Sequence, residues 1–73
     1  MRITVLPVGV VKKFVGGRVL DLPDGADGRL LIERLALPVE LKVMSFVNGR
    51  KRPLDQPLAN GDEVKLISSL GGG

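Results

Sequence analysis

The sequence predicts an α+β roll, a mixed sheet of four to five strands with one main helix across one face. Three observations carry this. Alternating, β-branched runs open and close the chain, "RITVLPV" at Arg2–Val8 and "EVKLIS" at Glu63–Ser68. One segment only, following Asp27, combines a helix cap with a lengthwise apolar stripe. Ten glycines and five prolines among 73 residues cut the chain into short elements. Setting the two terminal strands side by side in the centre of the sheet buries its two most apolar runs. The domain is expected over residues 1–69, with 70–73 a flexible glycine tail.

Along the first strand Ile3 and Val5 share one face, Thr4 and Leu6 the other. "VVKKFV" brings Val11, Phe14 and Val15 together at helical spacing before Gly16–Gly17, so a short helical turn is expected. Arg18–Leu22 alternates as a second strand, paired with the first, Leu20 and Leu22 to one side and Val19 and Asp21 to the other. Asp27 caps a helix over Gly28–Ala36, with Leu31 and Leu35 on the sheet side and Pro38 barring continuation. Lys42–Val47 is a third strand ended by the Asn48–Gly49 turn. Pro53 and Pro57 restrict the next stretch to a short edge strand and a helical turn.

The residue inventory excludes much chemistry. There is no cysteine and no histidine, hence no disulfide framework, no zinc or iron–sulfur ligand set and no Cys or His nucleophile. Ser68 and Ser69 have no base to activate them. No catalytic residue is assigned, and the chain reads as a non-enzyme. Asp21, Asp24 and Asp27 recur every third residue beside glycines but fail the calcium-loop spacing; turn and cap roles account for them, and no metal site is assigned. Gly16–Gly17 lacks the phosphate-loop pattern and is a turn.

The apolar N-terminal stretch is broken by Thr4 and Pro7 and does not read as a signal peptide, and no run is long enough to cross a membrane. The cytoplasm is the expected location. The net charge of +3 gathers at Lys12–Lys13 and Arg50–Lys51–Arg52. With no Trp or Tyr to stack bases, this charge argues for a solvated surface or a site for an acidic protein rather than for nucleic acid. Free in solution the chain is expected to be a monomer.

Met44 and Phe46 admit two registers. If Val43, Ser45 and Val47 face the helix, Met44 and Phe46 join Leu6 and Ile67 in an apolar patch on the bare sheet face, a partner site; in the reversed register they are core. In the first case Leu6, Met44, Phe46 and Ile67, with Arg50, Lys51 and Arg52, form the expected partner-binding face.

The segment "FVNGRKRPLDQPLANGDEVKLISSLGGG" closely resembles the end of the ubiquitin-like β-grasp sulfur carriers: the thiamin-pathway sulfur carrier and the small subunit of molybdopterin synthase. The matching pieces are Val47-Asn48-Gly49, Leu58, Gly61-Asp62-Glu63-Val64 and Gly72-Gly73. "LPDGADGRLLIERLALP" resembles their helix segment, so the likeness spans essentially the whole chain. "VGVVKKFVG" looks like the extra helix of the molybdopterin branch, whereas "LGGG" is similar to thiamin-carrier ends.

The resemblance implies a β-grasp fold and a carrier that binds no cofactor itself. An adenylyltransferase of ubiquitin-activating type would use ATP to adenylate the carboxylate of Gly73. A thiocarboxylate formed there would pass sulfur to a synthase subunit in molybdopterin or thiamin biosynthesis. Leu70, Gly71 and Gly72 would thread the partner's channel, which a tail bare of side chains suits. Two other readings stay open: a ubiquitin-like modifier joined to lysines through Gly73, and a plain β-grasp interaction module. The acceptor is equally open among a thiazole, a dithiolene and a tRNA base.

Overall fold

The computed structural model describes residues 1–69; the expected tail, Leu70–Gly73, lies outside the described residues. The strands are β1 (Arg2–Pro7), β2 (Arg18–Asp21), β3 (Val43–Val47), β4 (Arg50–Arg52) and β5 (Glu63–Ser68), with one α-helix, α1 (Gly28–Arg34). They make one mixed sheet in the order β2-β1-β5-β3-β4. β1 and β5 run parallel at its centre, Val5 beside Val64, while the other neighbours pair antiparallel. The chain-end strands thus lie where their apolarity demands. Ile3, Val5, Val64 and Leu66 are wholly buried, in one cluster with Leu31 and Leu35 of α1 and its C-terminal cap. Shifting either strand by one residue would turn its apolar set outward, and this fixes the register.

α1 begins as its sequence dictates. Asp27 has extended backbone and its carboxylate accepts the Leu30 N–H at 3.0 Å. Gly28 is needed by packing, since a Cβ there would stand 3.0 to 3.3 Å from Leu54. The helix is shorter than the expected Gly28–Ala36. Ala36 takes a left-handed φ of 56°, which breaks the helical ladder two residues before Pro38.

The connection between β1 and β2 contains a 3₁₀ turn, Gly9–Lys13. Val11 and Val15 are buried, but Phe14 is exposed and is not on the core side with them. It is the cap residue of the turn, and the inward place beside Val11 goes to Val15, whose N–H donates to the Val11 carbonyl at 3.2 Å. In β2, Leu20 packs against the core and Val19 faces solvent, with Leu22 buried just beyond. β3 starts one residue later than expected because Lys42 is left-handed, closing a second 3₁₀ turn at Val39–Leu41. After β4 a single turn forms, the Gln56 N–H donating to the Pro53 carbonyl at 3.2 Å, in place of the expected helical turn. No helix of the described residues is long and apolar enough to cross a membrane.

Candidate functional site

The face of the sheet turned away from α1 is set by Ser45. This residue is buried on the core side, its hydroxyl donating to the Arg52 carbonyl at 3.1 Å, and Val43 and Val47 on the same side pack against the core. Alternation then sends Met44 and Phe46 to the opposite face, with Leu6 and Ile67. All four are half-buried and none belongs to the core cluster. Of the two registers open in the sequence, the structure adopts the one that makes a surface patch.

Pairing arranges this patch in rows. Leu6 of β1, Lys65 of β5, Phe46 of β3 and Lys51 of β4 lie side by side across four adjacent strands. Met44 is paired with Ile67 in the next row of β3 and β5. The result is apolar ground crossed by two ammonium groups, whose aliphatic stems extend the apolar surface while their heads stay in water. Lys65 went unrecognised in the sequence, although it shares the parity of Ile67.

The basic run Arg50–Lys51–Arg52 does not act as one unit. Lys51 pairs with Phe46, but Arg50 and Arg52 pair with Val47 and Ser45. They therefore project on the α1 side, away from the patch they were expected to join. A three-residue strand must split its side chains between two faces.

The patch lies next to the root of the C-terminal segment. Ser69 follows β5, the strand between β1 and β3, and is held twice by the Lys42 carbonyl: by its N–H at 3.0 Å and its hydroxyl at 2.6 Å. The Ser68 hydroxyl donates to the Leu41 carbonyl at 2.6 Å. The serines are thus anchors for the strand end. Since β1 and β5 are parallel, the 3₁₀ turn carrying Lys12 and Lys13 packs at the same end of the sheet. The tail positions Leu70, Gly71, Gly72 and Gly73 lie outside the described residues.

The Asn-Gly and Gly-Asp-Glu motifs, distant in sequence, form one knot. Asn48 and Gly49 both have positive φ, 51° and 86°, closing the β3–β4 hairpin. The Asn48 side chain donates to the Asp62 carboxylate and accepts the Glu63 N–H, each at 2.9 Å. The other Asp62 oxygen accepts the Ala59 N–H at 2.8 Å. The motifs therefore fix the start of β5 against the end of β3. Their role is structural. Of the three spaced aspartates, Asp27 caps α1, Asp24 lies 3.9 Å from the N-terminal amine and Asp21 lies 3.9 Å from Arg2. Among the described residues no three acidic or metal-ligating side chains gather in one place.

Parallel central strands from the two ends of a chain, flanked by antiparallel neighbours and crossed on one face by a single helix, define the ubiquitin-like β-grasp class. Within that class the chain belongs to the ThiS family, the family model matching residues 5–73. This is the sulfur carrier group that the sequence resembles along essentially its whole length, and its members are small non-catalytic proteins. Two solved structures share the fold. A chain described as molybdopterin converting factor, subunit 1, from Pyrococcus furiosus is 24% identical with a TM-score of 0.76, the match covering 92% of this chain and 95% of that one. A chain in the complex of subunits 1 and 2 of the molybdopterin-converting factor from Helicobacter pylori is 22% identical with a TM-score of 0.64, over 100% of both chains. No curated protein matches the chain in sequence.

Proposed function

We propose that this protein is a sulfur carrier of cofactor biosynthesis and that Gly73 bears the sulfur. The supporting observation is membership of the ThiS family over residues 5–73 in a chain without a cysteine. Such a carrier must hold sulfur on another atom, and the family resemblance assigns this to the carboxylate of Gly73. In this reading the carboxylate attacks the α-phosphorus of ATP on an adenylyltransferase and releases pyrophosphate. A sulfide-level nucleophile then attacks the acyl carbon, the acyl–phosphate bond breaks with AMP as the leaving group, and the thiocarboxylate remains.

The apolar patch of Leu6, Met44, Phe46 and Ile67 is the docking face in this scheme, with Lys51 and Lys65 pairing to acids on the partner. Its position beside Ser69 favours this, because a partner seated on the patch is also brought to Ser69, the last described residue. The neighbour from Helicobacter pylori is in a complex of subunits 1 and 2. By that analogy the thiocarboxylate is passed to a second synthase subunit, with a molybdopterin-type acceptor.

The test is ATP–pyrophosphate exchange with the purified adenylyltransferase. Deleting Gly73, or adding one alanine after it, is expected to leave the thermal midpoint unchanged and abolish exchange, since the reacting group moves by one residue, about 3.5 Å. Normal exchange by the alanine-extended protein would overturn the proposal.

A further inference from the structure

A cleft of about 310 Å³ lies on the opposite side of the sheet from the patch, between β3–β4 and the segment that follows β4. Its walls include Val47, Arg50, Arg52, Gln56, Pro57 and Leu58. We propose that this cleft binds a small phosphate ester, its phosphate between Arg50 and Arg52 and its organic part against Val47, Pro57 and Leu58.

Four features of the cleft support this. First, alternation along β4 puts both arginines on one side, with Cα atoms roughly 7 Å apart, so two long guanidinium side chains can converge on one group. Second, among the described residues neither arginine lies within ion-pair distance of a carboxylate; the ion pairs involve the N-terminal amine, Arg2 and Arg29 instead. Arg52 is half-buried, so its charge gains more from a partner anion than an exposed one does.

Third, the acid that also lines the cleft, Asp62, keeps its charge but is held by neutral donors of the same wall and forms no ion pair with either arginine. Its two oxygens accept from the Asn48 amide and the Ala59 N–H. Fourth, charge and shape select the ligand. Two guanidinium forks match the double charge and three acceptor oxygens of a phosphate monoester, whereas one carboxylate supplies a single charge. The concave, partly apolar wall fits an organic group better than the flat contact of an acidic peptide. The cleft is read independently of the sulfur chemistry at Gly73.

The experiment is a titration of the isotopically labelled full chain, followed by amide chemical shifts, with phenyl phosphate, inorganic phosphate, benzoate and a Glu/Asp-rich peptide as separate probes. Phenyl phosphate should produce saturable shifts at β4 and residues 56–58 and bind more tightly than inorganic phosphate. Arg50→Gln with Arg52→Gln should weaken it by more than about tenfold, two charge-assisted contacts being removed. Lys51→Gln, on the other face, should leave it unchanged. Arg50→Gln alone, at an exposed position, should weaken binding in a folded protein and serves if the double variant misfolds. Absence of saturable shifts, equal binding of benzoate, or tighter binding of the peptide would each overturn the assignment. Pyrophosphate exchange on the arginine variants reads the carrier chemistry separately.

Discussion

Replacing Phe46 and Ile67 together by aspartate separates the two faces of the sheet. Full burial of a Phe or Ile side chain is worth about 1.5–3 kcal/mol. Each is already half-hidden in the free protein, so about 1 kcal/mol apiece remains to be gained at an interface. Carrying carboxylates into that contact adds a desolvation cost of at least ~1 kcal/mol. The total is about 3 kcal/mol, or roughly 150-fold in Kd for the adenylyltransferase of the proposed scheme. The free protein loses the share of burial it already has, about 1 kcal/mol apiece, and should stay folded at a lower urea midpoint. A carboxylate at position 46 sits between Lys65 and Lys51, and such cross-strand pairs return about 0.2–1 kcal/mol against a similar loss of strand preference. Calorimetric titration against the partner, beside urea unfolding of the variant alone, measures both quantities. An unfolded variant would show that these side chains belong to the core, and unchanged Kd would show that the patch is not the docking face.

Further outcomes follow from the same geometry. Leu31→Ala, at a wholly buried position between helix and sheet, should cost about 2–5 kcal/mol in urea unfolding; a loss below ~0.5 kcal/mol would contradict the packing. Asn48→Ala removes two side-chain hydrogen bonds and puts alanine at a left-handed φ, and should cost about 1–3 kcal/mol, with Asn48→Gly losing less because its backbone fits. Charge reversal at Lys51 or Lys65 should slow association with the activating partner and flatten its salt dependence, as stopped-flow measurements at two ionic strengths would show.

Much of this fold was legible because a buried strand face writes itself as alternation. Ile3, Val5, Val64 and Leu66 mark the core by period and apolarity, and Asp27 marks the start of the helix by its chemistry. Direction was harder to read where period gives way to a cap. Phe14 has helical spacing with Val11 and Val15, yet it caps a turn and points outward. Met44 and Phe46 are as apolar as core residues, so only the burial of Ser45, a polar side chain satisfied by the Arg52 carbonyl, settles which face they occupy. The three basic residues of β4 looked like one feature because adjacency in sequence is visible and parity across a hairpin is not. The Asn48–Asp62 knot likewise depends on a contact between turns fourteen residues apart.

The parallel pairing of β1 with β5 also governs when the molecule can exist. Val5 cannot find Val64 until the 59 residues that follow it, up to Val64, have been synthesised, a wait of several seconds at about 5–20 residues per second. Closing so long a loop makes this a late, non-local contact in folding. A nascent chain halted before Glu63 lacks the middle of its sheet, and with it Lys65 and Ile67, so it presents no assembled patch to any partner. Translation must pass through the central strand before Ser69 and the residues behind it can be displayed. An incomplete product thus lacks the docking face because of the topology itself.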